Sequence, residues 1–269
     1  MHSIQLRISI IGTGRVAISL GREWRANGVD IVEVYGRSLQ STHKLSEITG
    51  AIIVDDISKI RTDIDALAII VSDDAIKDIA SLVPSTVNKF HCSGVTAKEA
   101  LGNECGVLWP IKSINPESIN ENFRDISFGV EASSESFSEI LNQLVKVIHG
   151  KPFYAPLDVR AKVHLAAVFT DNFANHCLAL SQTILSEANL PKNILNKLAE
   201  DMARGAIDSS SFSRQTGVAL RHDYGSQKKH LELLYSLDKS LRLSRKSTSI
   251  VDFYKFLSKH IADSHELQN

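Results

Sequence analysis

The residues with the clearest chemical meaning are glycines. Gly12-Thr13-Gly14-Arg15-Val16-Ala17 follows an apolar, β-branched run at residues 6–11 and opens a stretch with helical apolar spacing at Val16, Leu20 and Trp24. The pattern is GxGxxG with alanine in the third place. Gly12 permits a tight turn, Gly14 lets a pyrophosphate approach the backbone, and Ala17 lets the helix pack on the sheet. The helix N-terminus adds free N–H groups and the positive end of a dipole. Alone, such a motif also describes an ordinary glycine turn. With a strand before it, a helix after it and another strand at residues 31–35, it points to dinucleotide binding through Gly12, Thr13, Gly14, Arg15 and Val16.

The end of that next strand separates two cofactors. NAD binders usually place an Asp or Glu there for the ribose hydroxyls, whereas this chain has Tyr35-Gly36-Arg37-Ser38. Arg37 and Ser38 suit the 2′-phosphate of NADP, a dianion that a carboxylate would repel, so NADPH is expected over NAD. A solvated loop arginine is the plainer alternative. The missing acid also counts against a methyltransferase. Val71-Ser72-Asp73-Asp74 ends a central apolar run and is expected to border the cofactor through Val71 and Ser72, with Asp74 capping the next helix. His91-Cys92-Ser93-Gly94 ends another run in the same crevice, where His91 and Ser93 are candidates to face the nicotinamide or substrate. A hydrogen-bonded structural histidine fits His91 equally well, and Cys92 reads as a small buried residue.

A second group of polar residues lies on a long, proline-free stretch at 158–188. His164, Val168, Asn172 and Asn175 are spaced four, four and three, which puts them on one stripe of an α-helix. His and Asn on an Ala/Leu/Val helix either bond a substrate heteroatom and move its proton, with His164 as donor, or pair across a helix contact. Arg221, near Gln215-Thr216-Gly217, is a candidate grip for a substrate carboxylate, although a surface ion pair is the commoner fate of an arginine.

The elements that hold these residues alternate through the first half: strands at 6–11, 31–35, 51–54, 66–71, 87–90, 106–109 and 127–130, with helices at 16–27, 39–49, 75–82 and 136–148. Continuous apolar strands between helices predict a doubly wound parallel sheet, a Rossmann architecture. After about Tyr154 the pattern is helical only, at 158–188, 192–207 (with Pro191 in its first turn), 225–243 and 249–261. The expected domains are therefore residues 1–154 for the dinucleotide and an all-α part, residues 155–269, for substrate and dimer contacts. The link falls at 150–156, where a glycine and two prolines interrupt the periodicity.

The 269 residues include 30 Lys+Arg and 31 Asp+Glu, a formal charge of -1, which recommends neither nucleic acid nor an anionic membrane as partner. No apolar run has the length of a membrane span, and residues 1–7 lack a signal-peptide pattern. Three scattered cysteines (Cys92, Cys105, Cys177) fit a reducing, cytoplasmic setting and make no zinc-ligand spacing.

Together these motifs resemble those of Rossmann-like proteins with a helical C-terminal domain of unknown function, often labelled NADP oxidoreductases. That family is similar in layout to pyrroline-5-carboxylate reductases and, more distantly, to the 6-phosphogluconate and β-hydroxyacid dehydrogenases. The resemblance rests on the segments already quoted, with Val34, Ala75, Ile76, His164-Leu165-Ala166-Ala167-Val168-Phe169, Asn172-Phe173-Ala174-Asn175-His176 and Gln215-Thr216-Gly217. It implies a reductase-like protein, dimeric through its helical domain. Two segments depart from the family pattern. Trp109-Pro110-Ile111-Lys112 stands where Tyr-Pro and a Gln are usual, making Lys112 a substrate-side candidate, and Gly217-Val218-Ala219 stands for Gly-Pro-Ala. The Lys–Asn pair of the β-hydroxyacid dehydrogenases is absent, since Lys162 is followed four residues on by Ala166; His164 with Asn172 is the available stand-in.

The expectation is an NADP-dependent oxidoreductase moving hydride between nicotinamide and a small C=O or C=N substrate. The alternatives are a non-catalytic dinucleotide-binding sensor or scaffold, and a helical dimer module whose nucleotide fold is only structural.

Overall fold

β1 (Arg7–Ile11) is a run of isoleucines broken only by Ser9, and Ile8 and Ile10 are fully buried. In this computed structural model, residues 6–114, 122–208, 210–241 and 249–266 are described. Residues 1–5, Ser209 and the last residues of the expected 225–243 helix lie outside them. After β1 come α1 (Arg15–Ala26), β2 (Asp30–Tyr35), α2 (Leu39–Thr49), β3 (Ile52–Ile53) and β4 (Ala66–Ile69). α3 (Ile76–Leu82), β5 (Lys89–His91), β6 (Cys105–Pro110), β7 (Ser127–Ala132), α4 (Glu135–Val147) and β8 (Lys151–Tyr154) complete the sheet region.

The eight strands lie in the order β3-β2-β1-β4-β5-β6-β7-β8. The chain runs outward from β1 to β3, then restarts beside β1 with β4. That reversal opens a crevice beyond the carboxyl ends of β1 and β4, the place where open α/β sheets bind ligands. The register puts Tyr35, Ile11, Ile69, His91, Val107 and Glu131 in one row across the sheet, so the turns after β1, β4 and β5 emerge at one end. Pairing is parallel from β3 to β6; β7 is antiparallel to β6, and β8 is parallel to β7. Trp24 ties the helical layer together: its ring meets Phe90 edge-on at 6.2 Å and its Nε1–H donates to the Leu144 carbonyl at 2.9 Å.

Three local expectations need correction. The 150–156 segment is no simple link, because Lys151–Tyr154 pairs with β7 as a strand despite Pro152; an edge position spares proline a ladder bond. Asp74 caps no helix: it lies in a 3-10 turn (Asp73–Ala75), and Ala75 precedes α3 with no side-chain cap. Pro191 does not open the following helix, because residues 191–195 form turns (Ile194 N–H to Pro191 carbonyl, 3.2 Å) and α7 begins only at Asn196.

The chain divides into two compact units, Met1–Phe173 and Ala174–Asn269. The first ends with α5 (Leu157–Ala167) and a π-helical turn (Val168–Phe173). The second contains α6 (Ala174–Glu187), α7 (Asn196–Asp208), α8 (Tyr224–Leu241) and α9 (Ile250–Glu266). Its own core is small, centred on Leu234, Ile250 and Val251, beside an apolar cavity of about 400 Å³. Leu190, Ile194, Leu198, Met202 and Ile207 stand exposed on it.

Candidate functional site

The turn after β1 is shaped by close backbone approach. Gly12 has φ +112°, its N–H donates to the Tyr35 carbonyl at 2.8 Å, and a Cβ there would run into the Ile70 carbonyl. Only glycine fits. Gly14 is different: its φ of -74° suits any residue, yet a Cβ would meet nothing within 4 Å. The space beside it is open cleft. Gly14 is also the N-cap of α1 and supplies no side-chain oxygen to the first-turn N–H groups. Those donors, at the positive end of a 12-residue helix, form a ready cradle for an anion.

The cleft, about 670 Å³, is lined by Gly12, Thr13, Gly14, Arg15 and Val16, by Tyr35, Gly36, Arg37 and Ser38, and by Ile70, Val71 and Ser72. Nine residues expected at the cofactor (Gly12, Thr13, Gly14, Arg15, Val16, Arg37, Ser38, Val71 and Ser72) thus share one concavity. Arg15 and Arg37 are exposed at its rim and have no ion-pair partner among the described residues. Ser38 caps α2 by accepting the Ser41 N–H at 3.4 Å. Of the two acids on β2, Asp30 sits at its start beside Arg7, and Glu33 is buried and accepts the Arg61 N–H at 2.9 Å, so neither is offered to a ribose at the strand's end.

Beyond β5 the arrangement differs from expectation. His91 is fully buried. Its Nε2 lies 3.3 Å from the Ala97 carbonyl and its Nδ1 accepts the Ser93 N–H at 3.1 Å, the pattern of a neutral ring with both nitrogens engaged. Burial pushes its pKa down to about 4. His91 therefore holds its own loop and has no free nitrogen for a substrate. Ser93 is likewise turned inward, accepting the N–H groups of Val95 (3.2 Å) and Thr96 (3.0 Å) and donating to Thr96 Oγ1 (2.9 Å); it does not line the cleft. Burial raises the Cys92 thiol above its usual range, which disfavours the thiolate that a nucleophile needs.

His164 lies on the exposed side of α5, its ring edge-on to Trp109 at 5.9 Å. Trp109 in turn sits against Gly94, where a Cβ would come within 2.8 Å of the indole. Asn172 is exposed and falls in the π turn, whose wider pitch shifts it from the stripe that α-helical spacing predicts. Asp171 in that turn accepts the Ser113 hydroxyl at 2.8 Å. Lys112 follows β6 and is half-buried. Asn175 and Arg221 belong to the second unit and are exposed there; the Arg221 N–H bonds the Gly217 carbonyl at 3.3 Å.

Sequence reading missed one constellation altogether. Arg160 on α5 is fully buried and donates to Glu131 Oε2, to the Ala155 carbonyl (2.7 Å) and to the Thr96 carbonyl (2.8 Å). Lys98 donates to the other Glu131 oxygen at 2.8 Å, and that bond, with one to Glu99, raises the Lys98 pKa. The register of the row ending at Glu131 was the only available signal, and it requires the strand pairing to be known.

A family model described as a domain of unknown function (DUF2520) matches residues 126–261. Among curated proteins, none matches the chain. Solved structures of the same fold include a presumed NADP oxidoreductase from Bacteroides fragilis, 25% identical, with a TM-score of 0.83 over 96% of this chain and 98% of that one. A pyrroline-5-carboxylate reductase from Coxiella burnetii is 17% identical, with a TM-score of 0.56 over 96% and 97%. A reductive aminase from Aspergillus terreus, in complex with NADPH and ethyl-5-oxohexanoate, is 13% identical, with a TM-score of 0.68 over 97% and 94%. The Rossmann sheet followed by helices is thus a fold this chain shares with those proteins.

Proposed function

Starting from the fact that the chain belongs to the DUF2520 family, we propose that it is an NADP-dependent oxidoreductase acting on a small C=O or C=N substrate. One observation carries this reading: the open cleft in which the uncapped α1 N-terminus, Arg15, Arg37 and Ser38 converge. The first-turn N–H groups and the Gly12–Val16 turn hold the pyrophosphate. Arg37, with Ser38 and Arg15, holds the 2′-phosphate, where two guanidiniums without ion-pair partners among the described residues favour a dianion. Val71 and Ser72 border the dinucleotide at the β4 end. When bound, the nicotinamide supplies or accepts the hydride.

Within the first unit, His164 holds the proton for the substrate heteroatom, with Asn172 orienting it and Lys112 on the substrate side. Residues 1–154 make up the cofactor domain and residues 155–269 the substrate and dimer domain. The exposed apolar residues of α7 favour a homodimer through the helical part, and three free cysteines favour the cytoplasm.

Calorimetric titration with NADPH and NADH tests the reading. NADPH is expected to bind at micromolar levels, and Arg37→Ala to weaken it by about 1.5–3 kcal/mol, the worth of a charge-assisted bond, with NADH little changed. Absence of binding by either dinucleotide sinks the oxidoreductase reading. Binding with no turnover of any carbonyl or imine leaves the sensor reading in its place.

A further inference from the structure

The buried cluster around Arg160 joins three segments that the proposed chemistry needs in fixed relation. One is the 92–97 loop beyond β5, reached through the Thr96 carbonyl and Lys98. The second is β7, through Glu131, which the register sets level with His91 at the end of β5. The third is α5, whose residue one turn beyond Arg160 is His164. A separate stack repeats the link, with Gly94 of the loop against the buried Trp109 and Trp109 against the His164 ring.

A buried ion pair is a weak source of stability, because its desolvation cost rivals its attraction, and an apolar set of equal volume often serves as well. What a planar guanidinium adds is direction: three acceptors on three segments fix distances and angles that apolar packing leaves loose. The Arg160 Nε is buried and has no hydrogen-bond partner among the described residues.

We propose that Arg160 is a positioning residue, whose fork holds the 92–97 loop, on the β5 side where the cofactor reading puts the nicotinamide, in register with the helix that carries His164. The inference rests on the reading of the cleft as a dinucleotide site. Its function is to keep the reactive end of the cofactor and the proton-bearing side chain at one spacing, while the phosphate end, made by the Gly12–Val16 turn, is independent of it.

The test compares two probes on the full chain by calorimetry: NADPH, and 2′,5′-ADP, which carries the 2′-phosphate and adenosine without the nicotinamide. In Arg160→Lys, which keeps the charge and loses the fork, NADPH affinity is expected to fall about tenfold while 2′,5′-ADP affinity stays within about twofold. Lys98→Met, on the half-exposed edge of the cluster, keeps the proposal testable if Arg160→Lys does not fold. It is expected to lower the same ratio about threefold. A ratio of NADPH to 2′,5′-ADP affinity that stays at the wild-type value, whether both affinities hold or fall together, overturns the proposal and leaves Arg160 a structural role. Failure of wild type to bind either probe overturns the cofactor reading itself, and this inference with it.

Discussion

At the β1 end of the cleft the chain offers backbone: glycines, uncapped N–H groups and open space. Beyond β5, outside the cleft lining, it offers side chains already bonded to one another, with His91, Ser93, Arg160, Glu131 and Lys98 all engaged. The first region presents donors and space to the cleft. The second is bonded mainly to itself, so its part in any chemistry lies in holding geometry. Substitutions at the two ends should therefore fail in different ways, and the differences can be measured.

The largest effect is expected at Gly12. Gly12→Ala combines a positive φ with a collision against the Ile70 carbonyl, and should cost about 3 kcal/mol or more of stability, read as the urea midpoint, along with NADPH binding. A midpoint that does not move would mean the turn is looser than described. His91 comes next and belongs to the other end. Its pKa is about 4 in the fold against 6.5 unperturbed, so the unfolded chain takes up the proton first as the medium is acidified. Stability is complete above about pH 6.5 and is lost as pH falls toward 4, by roughly 3 kcal/mol over the window. Urea unfolding of wild type and His91→Gln across pH 7 to 4 checks this; equal slopes would remove His91 from the account.

Gly14→Ala gives the smallest and most discriminating effect. Its backbone tolerates a side chain and its Cβ meets no protein atom, so stability should change by less than about 0.5 kcal/mol. NADPH affinity should nonetheless drop about tenfold or more, because the methyl fills space proposed for the pyrophosphate. Unchanged affinity would break the contrast between an end built to receive and an end built to hold.

The same contrast explains what could be read in advance. The glycine turn was legible because spacing and backbone conformation are local, and the arginine after β2 was legible because the absence of an acid is visible in one residue. β8 was hidden by Gly150 and Pro152, which read as a link when the strand is short and lies at an edge. The π turn at Val168–Phe173 has the composition of any helix, so the polar stripe was drawn with the wrong pitch. Arg160 and Glu131 carry no local signal, since nothing in either segment tells that a charge 29 positions away will meet it in the interior.

The sequence holds two tryptophans, and their settings divide its optical behaviour. Trp24 is sealed in the interior, its indole N–H committed to Leu144 and its face to Phe90. Trp109 touches Gly94 on one side and an imidazole on the other. Trp24→Phe therefore leaves a chain whose indole emission comes from a single point beside His164. That emission becomes an intrinsic dye for events at the loop and helix, with no label to attach.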